Sequence, residues 1–211
     1  MKLDDEAVRV ADGLRLGLDL CVPHECHCGS RIDDCGVHSF VCKRAPGRTI
    51  RHHALNDLIA RAFSSAGFPV TKEPSGLFRS DGKRPDGLTL VPWSSGKALC
   101  WDVTVTCPLA ESYISAAARE SGAAAELAAS RKEEKYADLD GRYIFEPIAI
   151  ETLGVFNTSA RQLLSDLGSR ISESTGEARE ASFLFQRCSV LVQRFSAILL
   201  HDSLPAYYCT D

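Results

Sequence analysis

The sequence lacks any uninterrupted apolar run approaching the roughly 18 residues of a membrane span, so it reads as a chain with no membrane partner. Its first residues, Met1-Lys2-Leu3-Asp4-Asp5-Glu6, lack the apolar stretch of a secretory signal. Internal repeats are absent, which argues against a solenoid or propeller. The only low-complexity tract is the alanine cluster near residue 124. Positive charge is not in excess either: 24 Lys and Arg stand against 28 Asp and Glu, a net charge of −4. With a sequence pI of about 5.9, global charge does not advertise a nucleic-acid binder.

What remains is ordinary for a globular protein: 211 residues, 45% hydrophobic and 25% charged, enough for one domain or for one domain with a small appendage. Cysteine is the exception. Five of the nine cysteines fall between Cys21 and Cys42, with three histidines among them. A disulfide framework would spread its cysteines along the chain, so the clustering points to a metal site in a reducing compartment, cytosol or nucleus. Cys26-x-Cys28, nine residues, His38, three residues, Cys42 supplies four ligands of the type that binds structural Zn²⁺ tetrahedrally. Gly29 and Gly36 permit the bends such a loop needs. Cys21, His24, His27 and Cys35 are alternative ligands. A segment with so few large apolar residues needs a staple of this kind.

Along the chain, residues 1–20 carry Val8, Val10, Leu14, Leu16, Leu18 and Leu20 without a clean period, and read as a lead-in that packs on the body. Residues 21–44 form the Cys/His knuckle, 45–152 the core, and 153–211 a helical extension. Ile50, Ala54, Leu55, Leu58, Ile59, Ala62 and Phe63 predict a helix over Arg48–Ala66, ended by Gly67. Strands are predicted at Phe68–Glu73, Gly87–Val91, Ala98–Thr106 and Tyr143–Glu151. Helices are predicted at Gly122–Leu139, Thr158–Ser172 and Glu177–Leu200. The class is α/β (α+β): a mixed four-stranded sheet flanked by helices, with a knuckle before it and helices after it.

Two of those strands carry acids. Arg84-Pro85-Asp86-Gly87 and Trp101-Asp102-Val103-Thr104-Val105 are joined by a Pro-Trp-Ser-Ser-Gly turn. Paired carboxylates at the ends of adjacent strands suit a hard divalent cation, Mg²⁺ or Mn²⁺, of the kind that activates water against a phosphodiester. Glu73 is a candidate third carboxylate. Such chemistry gains from a nearby ammonium, yet Thr104 stands two residues after the second acid, where a lysine would serve. Lys132 and Lys135, three apart on the following helix, share a face that either can turn towards the strand ends. Lys43, Arg44, Arg48, Arg51, His52 and His53 form a basic run with no acidic residue. On its own a run of this kind reads as a solvated face.

Taken in order, Cys26-x-Cys28…His38-x₃-Cys42, Arg51-His52-His53, Glu73-Pro74, Arg84-Pro85-Asp86, Trp101-Asp102-Val103-Thr104-Val105 and Lys132-x₂-Lys135-Tyr136 resemble one family. It is the restriction-like endonuclease domain of site-specific non-LTR retrotransposons, within the PD-(D/E)XK nuclease superfamily. The resemblance covers residues 21–151. It implies a restriction-endonuclease-like core, a zinc knuckle on Cys26, Cys28, His38 and Cys42, and metal-dependent nicking of DNA. It further implies Asp86 and Asp102 as ligands of the catalytic metal, with Lys135 as a migrated catalytic lysine. Arg48, Arg51, His52 and Arg84 are then expected to contact DNA. The chain departs from the family at His53, where the family has asparagine, and at the Cys-x-Cys spacing. A reverse transcriptase in the same or a longer polypeptide is an expected partner. The chain is accordingly a polyprotein fragment or a stand-alone descendant, and a homodimer would serve to cut both strands. A silent nucleic-acid-binding module, or a protein-interaction module with structural zinc, are the competing readings.

Overall fold

Two segments rich in β-branched and apolar residues, Leu99–Thr106 and Ile144–Glu151, anchor the architecture. The computed structural model describes residues 2–77, 82–139 and 141–205. The expected extension therefore ends, at 206–211, outside the described residues. In chain order the elements are α1 (Asp5–Leu16), β1 (His24–Glu25), β2 (Arg31–Ile32), α2 (Val37–Val41), α3 (Gly47–Ser65), β3 (Val70–Lys72) and β4 (Gly87–Thr89). There follow β5 (Leu99–Thr106), α4 (Ile114–Ala117), α5 (Ala123–Lys135), a 3₁₀ turn at Ala137–Leu139, β6 (Ile144–Glu151), α6 (Thr158–Thr175) and α7 (Glu180–His201). The four long helices and four strands expected from the pattern are all present, with ends shifted by at most four residues, the largest at the end of α5, where Ala137–Leu139 forms a 3₁₀ turn. The main sheet runs β3-β4-β5-β6, antiparallel except for the parallel pair β5–β6, in which Asp102 lies opposite Pro147. The chain thus has the expected mixed four-stranded α/β architecture.

Alternation along β5 and β6 sends their side chains to two different layers. Leu99, Trp101, Val103, Ile148 and Ile150 face α3, α6 and α7 in the main core. Cys100, Asp102 and Ala149 fall on the other side, where α5 lies. Ala125, Ala128 and Ala129 make the inner face of α5, and such small side chains let the helix lie close on Ala149. Its first amides need acceptors from elsewhere, because Gly122 has no side chain to offer. Glu151, at the end of β6, provides one: its Oε1 accepts from the N–H groups of Ala124 and Ala125 at 3.1 and 3.2 Å. That contact aims the C-terminal end of α5, with Lys132 and Lys135, back along the sheet.

The lead-in is a regular helix, which the pattern of large apolar residues concealed. Asp4 caps it by accepting from Ala7 N at 2.7 Å, and Gly17 closes it at φ 65°. Its buried stripe is Ala7, Val10, Ala11 and Leu14, a clean i, i+3, i+4, i+7 set half made of alanine. Val8, Leu16 and Leu18, weighed in the sequence, are exposed. The stripe packs with Phe40, Leu199 and Leu200 in a second core.

Helix α7 is long and apolar enough to cross a bilayer by length and composition, although charged residues interrupt its sequence. In this fold Leu184, Cys188, Leu191, Val192, Leu199 and Leu200 are buried, and α7 packs on α1, α3 and α6. A Cβ on Gly168 would lie 2.3 Å from the Ala181 Cα, so α6 and α7 cross at backbone contact.

Candidate active site and metal centre

The knuckle assembles four ligand atoms from two short elements. After β1 the chain turns at Gly29 (φ 87°), with Gly29 N donating to Cys26 O at 2.7 Å and Cys26 N to Ser30 O at 2.9 Å. This turn presents Cys26 and Cys28. Gly36 (φ 68°) starts α2, and one turn of helix separates His38 from Cys42. The Sγ atoms of Cys26, Cys28 and Cys42 and a ring nitrogen of His38 all lie within 4.8 Å of one another. Cys26 Sγ and Cys42 Sγ are 3.7 Å apart, and Cys28 Sγ is 3.1 Å from His38 Nε2. With metal–sulfur bonds of about 2.3 Å, a tetrahedral edge is about 3.8 Å. The donor set fits: this cluster can hold a metal such as zinc.

Hydrogen bonding with Ser30, and then with His38 and Cys26, brings the Cys28 thiol down to about 6, while burial pushes Cys26 up to about 11. The alternative ligands have other employment. Cys21 Sγ donates to Asp33 O at 3.3 Å. His24 Nε2 and His27 Nε2 reach Ser203 O (2.8 Å) and Asp202 O (3.1 Å), tying the knuckle to the end of α7.

The acids meet at one end of the sheet. β4 is too short to accept the N–H of Val103 on β5, and the Asp86 carboxylate does so instead, Oδ2 at 2.6 Å. The same oxygen is 2.9 Å from His52 Nε2 on α3. That carboxylate raises the imidazole pKa against the opposing pull of burial. One turn further along α3, the Asn56 side chain donates to Asp86 O (3.1 Å) and accepts from the Trp101 indole (2.9 Å). Asp86 is therefore fixed at backbone and side chain, with Oδ1 making no hydrogen bond among the described residues.

Asp102 is 3% exposed. Lys132 Nζ donates to its Oδ1 at 2.5 Å, and Lys135 Nζ stands 3.5 Å from its Oδ2. The Lys135 ammonium also donates to Tyr136 OH (2.7 Å), which donates to Arg84 O at 2.8 Å. Burial lowers the Lys135 pKa, and Asp102 opposes that shift. Asp86, Asp102, Lys132, Lys135, His52, Glu73 and Arg84 all line one open cleft of about 500 Å³. Glu73 is at its rim, ion-paired with Arg84. The arrangement brings Asp86 and Asp102 together with the Lys132 and Lys135 ammonium groups on one surface, a chemistry suited to a cation and a phosphate together.

Gly87 is required beside Asp86, because an added Cβ would lie 2.0 Å from the Trp101 ring. Gly87→Ala is expected to cost about 1–3 kcal/mol through overpacking, read from the denaturation midpoint. An unchanged midpoint would mean that Trp101 can move aside.

The basic run does not form one outward face. Lys43, Arg44 and His53 are exposed, Arg48 donates to Val41 O at 3.1 Å, and His52 serves Asp86. Arg51, expected to contact DNA, is 2% exposed, and burial brings its guanidinium down to about 10. It lies on the inner side of α3, out of reach of a surface ligand. Sequence reasoning passed over Asn56 and cast His52 as a phosphate contact. Their i, i+4 spacing on the first half of α3 was the available signal. No protein-family model matches the chain, and no curated protein does.

Proposed function

We propose that this chain is a divalent-metal-dependent endonuclease that nicks DNA, of the restriction-like kind its motif order resembles. The observation that carries the reading is the meeting of Asp86, Asp102, Lys132 and Lys135 in one cleft, from segments up to 49 residues apart in sequence. Asp86 and Asp102 are the residues that would hold Mg²⁺ or Mn²⁺; their hard oxygens are the donors such ions take. When bound, the ion supplies an acidified water and neutralises the scissile phosphate.

The chain's own groups do the rest. Val103 N–H and His52 hold the Asp86 carboxylate by one oxygen. The lysine ammonium groups stabilise charge growing on the phosphoryl oxygens. Arg84, at the cleft rim, and Arg48, beside the knuckle, position the DNA backbone without reading sequence. No side chain needs to form a covalent intermediate. Cutting both strands takes a second copy of the chain or two successive nicks. The zinc knuckle is structural in this scheme, and a reverse transcriptase is the polypeptide with which such an activity would work.

The test is nicking of supercoiled plasmid in Mg²⁺ or Mn²⁺ against a chelated control. Wild type should nick only with metal, and Asp86→Ala and Asp102→Ala should remain at the chelated background. Equal rates in all three proteins would sink the assignment.

A further inference from the structure

Away from the knuckle ligands and the acid cleft, the structure has other concave surfaces that the proposed function does not use, and one of them is mainly apolar. It is a groove of about 530 Å³ between the end of α1, the knuckle loop and the segment leading into α4. Leu14, Leu18, Val37, Leu109 and Ile114 make its apolar lining. Leu18 is 53% exposed and Ile114 48%, with Leu16 beside them at 70%. Exposed apolar side chains scattered singly mean little, but several lining one groove mark a contact surface.

The charged side chains that line this groove are of one sign. Asp33 and Glu111 line it, and no lysine or arginine does. Asp19 and Asp34 add to the field, since the Cys35 thiol in the groove wall feels Asp34, Asp33 and Asp19 as well as its own burial. Asp33 and Asp34 each spend one oxygen on a local amide, of Val37 and Cys35, leaving the rest of their charge facing solvent. Such a rim repels phosphates and anionic lipid headgroups. No strand lies in the groove wall, so a peptide cannot dock there by adding to a sheet edge.

We propose that this groove binds a basic amphipathic helix of a partner protein, apolar residues on the groove floor and Lys or Arg against Asp33 and Glu111. Helix-in-groove recognition places anchors at i, i+3 or i+4 and i+7, and the acidic rim selects the cationic flanks. The site is independent of the cleft that holds Asp86 and Asp102.

The test uses the full ¹⁵N-labelled chain and a designed Leu/Lys peptide of about 14 residues, near the shortest length that holds helix, with leucine at that spacing. Amide shifts should centre on Gly13, Gly17, Val37 and Leu109, with a Kd below about 100 μM. The Leu18→Asp, Ile114→Asp double variant should bind about tenfold more weakly, as should Glu111→Gln combined with Asp33→Asn. All four side chains are exposed, so the fold should survive, and an unchanged spectrum away from the groove checks this. A peptide of the same composition in scrambled order should not bind. The proposal is overturned if no groove amide moves, or if the scrambled peptide binds equally. It is also overturned if the shifts centre on the other acid-lined cleft, between α5 and α6, where Glu126, Glu133, Glu146 and Asp166 lie.

Discussion

For the proposed nuclease, Lys135→Met is expected to slow single-turnover nicking by about 10²–10³-fold, and Lys132→Met by about tenfold. The two ammonium groups stand on one helix face but are held differently. Lys132 is in direct contact with Asp102 Oδ1, so its charge chiefly balances a carboxylate that is otherwise buried. Lys135 stands off at 3.5 Å from Asp102 and is fixed by the Tyr136 hydroxyl, with its Nζ 4.2 Å from the ring centroid. Tyr136 is itself 2% exposed and anchored on Arg84 O, one residue before Pro85-Asp86. A cation held in advance needs no rearrangement as charge develops, which is where electrostatic catalysis gains most. Tyr136→Phe keeps the ring and removes the anchor, so the same assay should show a loss of about tenfold with DNA affinity unchanged. Should Lys132→Met prove inactive while Lys135→Met cuts at the wild-type rate, the roles of the two lysines would be exchanged.

The parts of this fold that were legible in the sequence are those set by local pattern. β5 and β6 announce themselves by their β-branched and apolar residues, and α3 by its 3–4 spacing ended at Gly67 (φ 84°). The Cys/His quartet was legible because metal ligands are few in kind and their spacing is short. The failures share a cause as well. Helix α1 buries alanines as half its stripe, and alanine carries almost no hydrophobic signal although it packs well. Arg51 belongs to a basic run by sequence, but helical rotation sends it inward, turns His52 towards Asp86 and leaves His53 outside. The supports of Asp86 were invisible for another reason. His52 lies 34 residues from its partner, and Asn56 45 residues from Trp101. Such contacts exist only once α3 has docked on the sheet. The site's acids can be guessed from a motif; what orients them is tertiary.

Removal of a metal held by the Cys/His cluster should cost more stability than any other change considered. Phe40 packs away from the knuckle against α1 and α7, which leaves Ile32 as the one large buried apolar side chain, among the described residues, beside Cys26 and Cys42. Burial of Ile32 contributes about 1.5–3 kcal/mol. Ordering each residue of this loop-rich segment costs about 1.5 kcal/mol, and its strands are only two residues long. Bonds to a metal are what can offset that difference, as in other small domains that fold on binding zinc. The loss should spread, because His24, His27 and Ser39 hold the last turn of α7 and Gly36 packs on Leu200. Elemental analysis should give about one zinc per chain. Cys42→Ser should lose it and unfold more easily by at least about 3 kcal/mol, a fall in Tm of roughly 6–12 °C. Cys21→Ser and Cys35→Ser should keep both metal and Tm, since neither thiol belongs to the four atoms that converge. Limited proteolysis should then cut Cys42→Ser first within residues 21–44, while α3, the sheet and α6 resist. A metal-free wild type with the same Tm, or a Cys21→Ser variant as unstable as Cys42→Ser, would show that the quartet does not staple this segment.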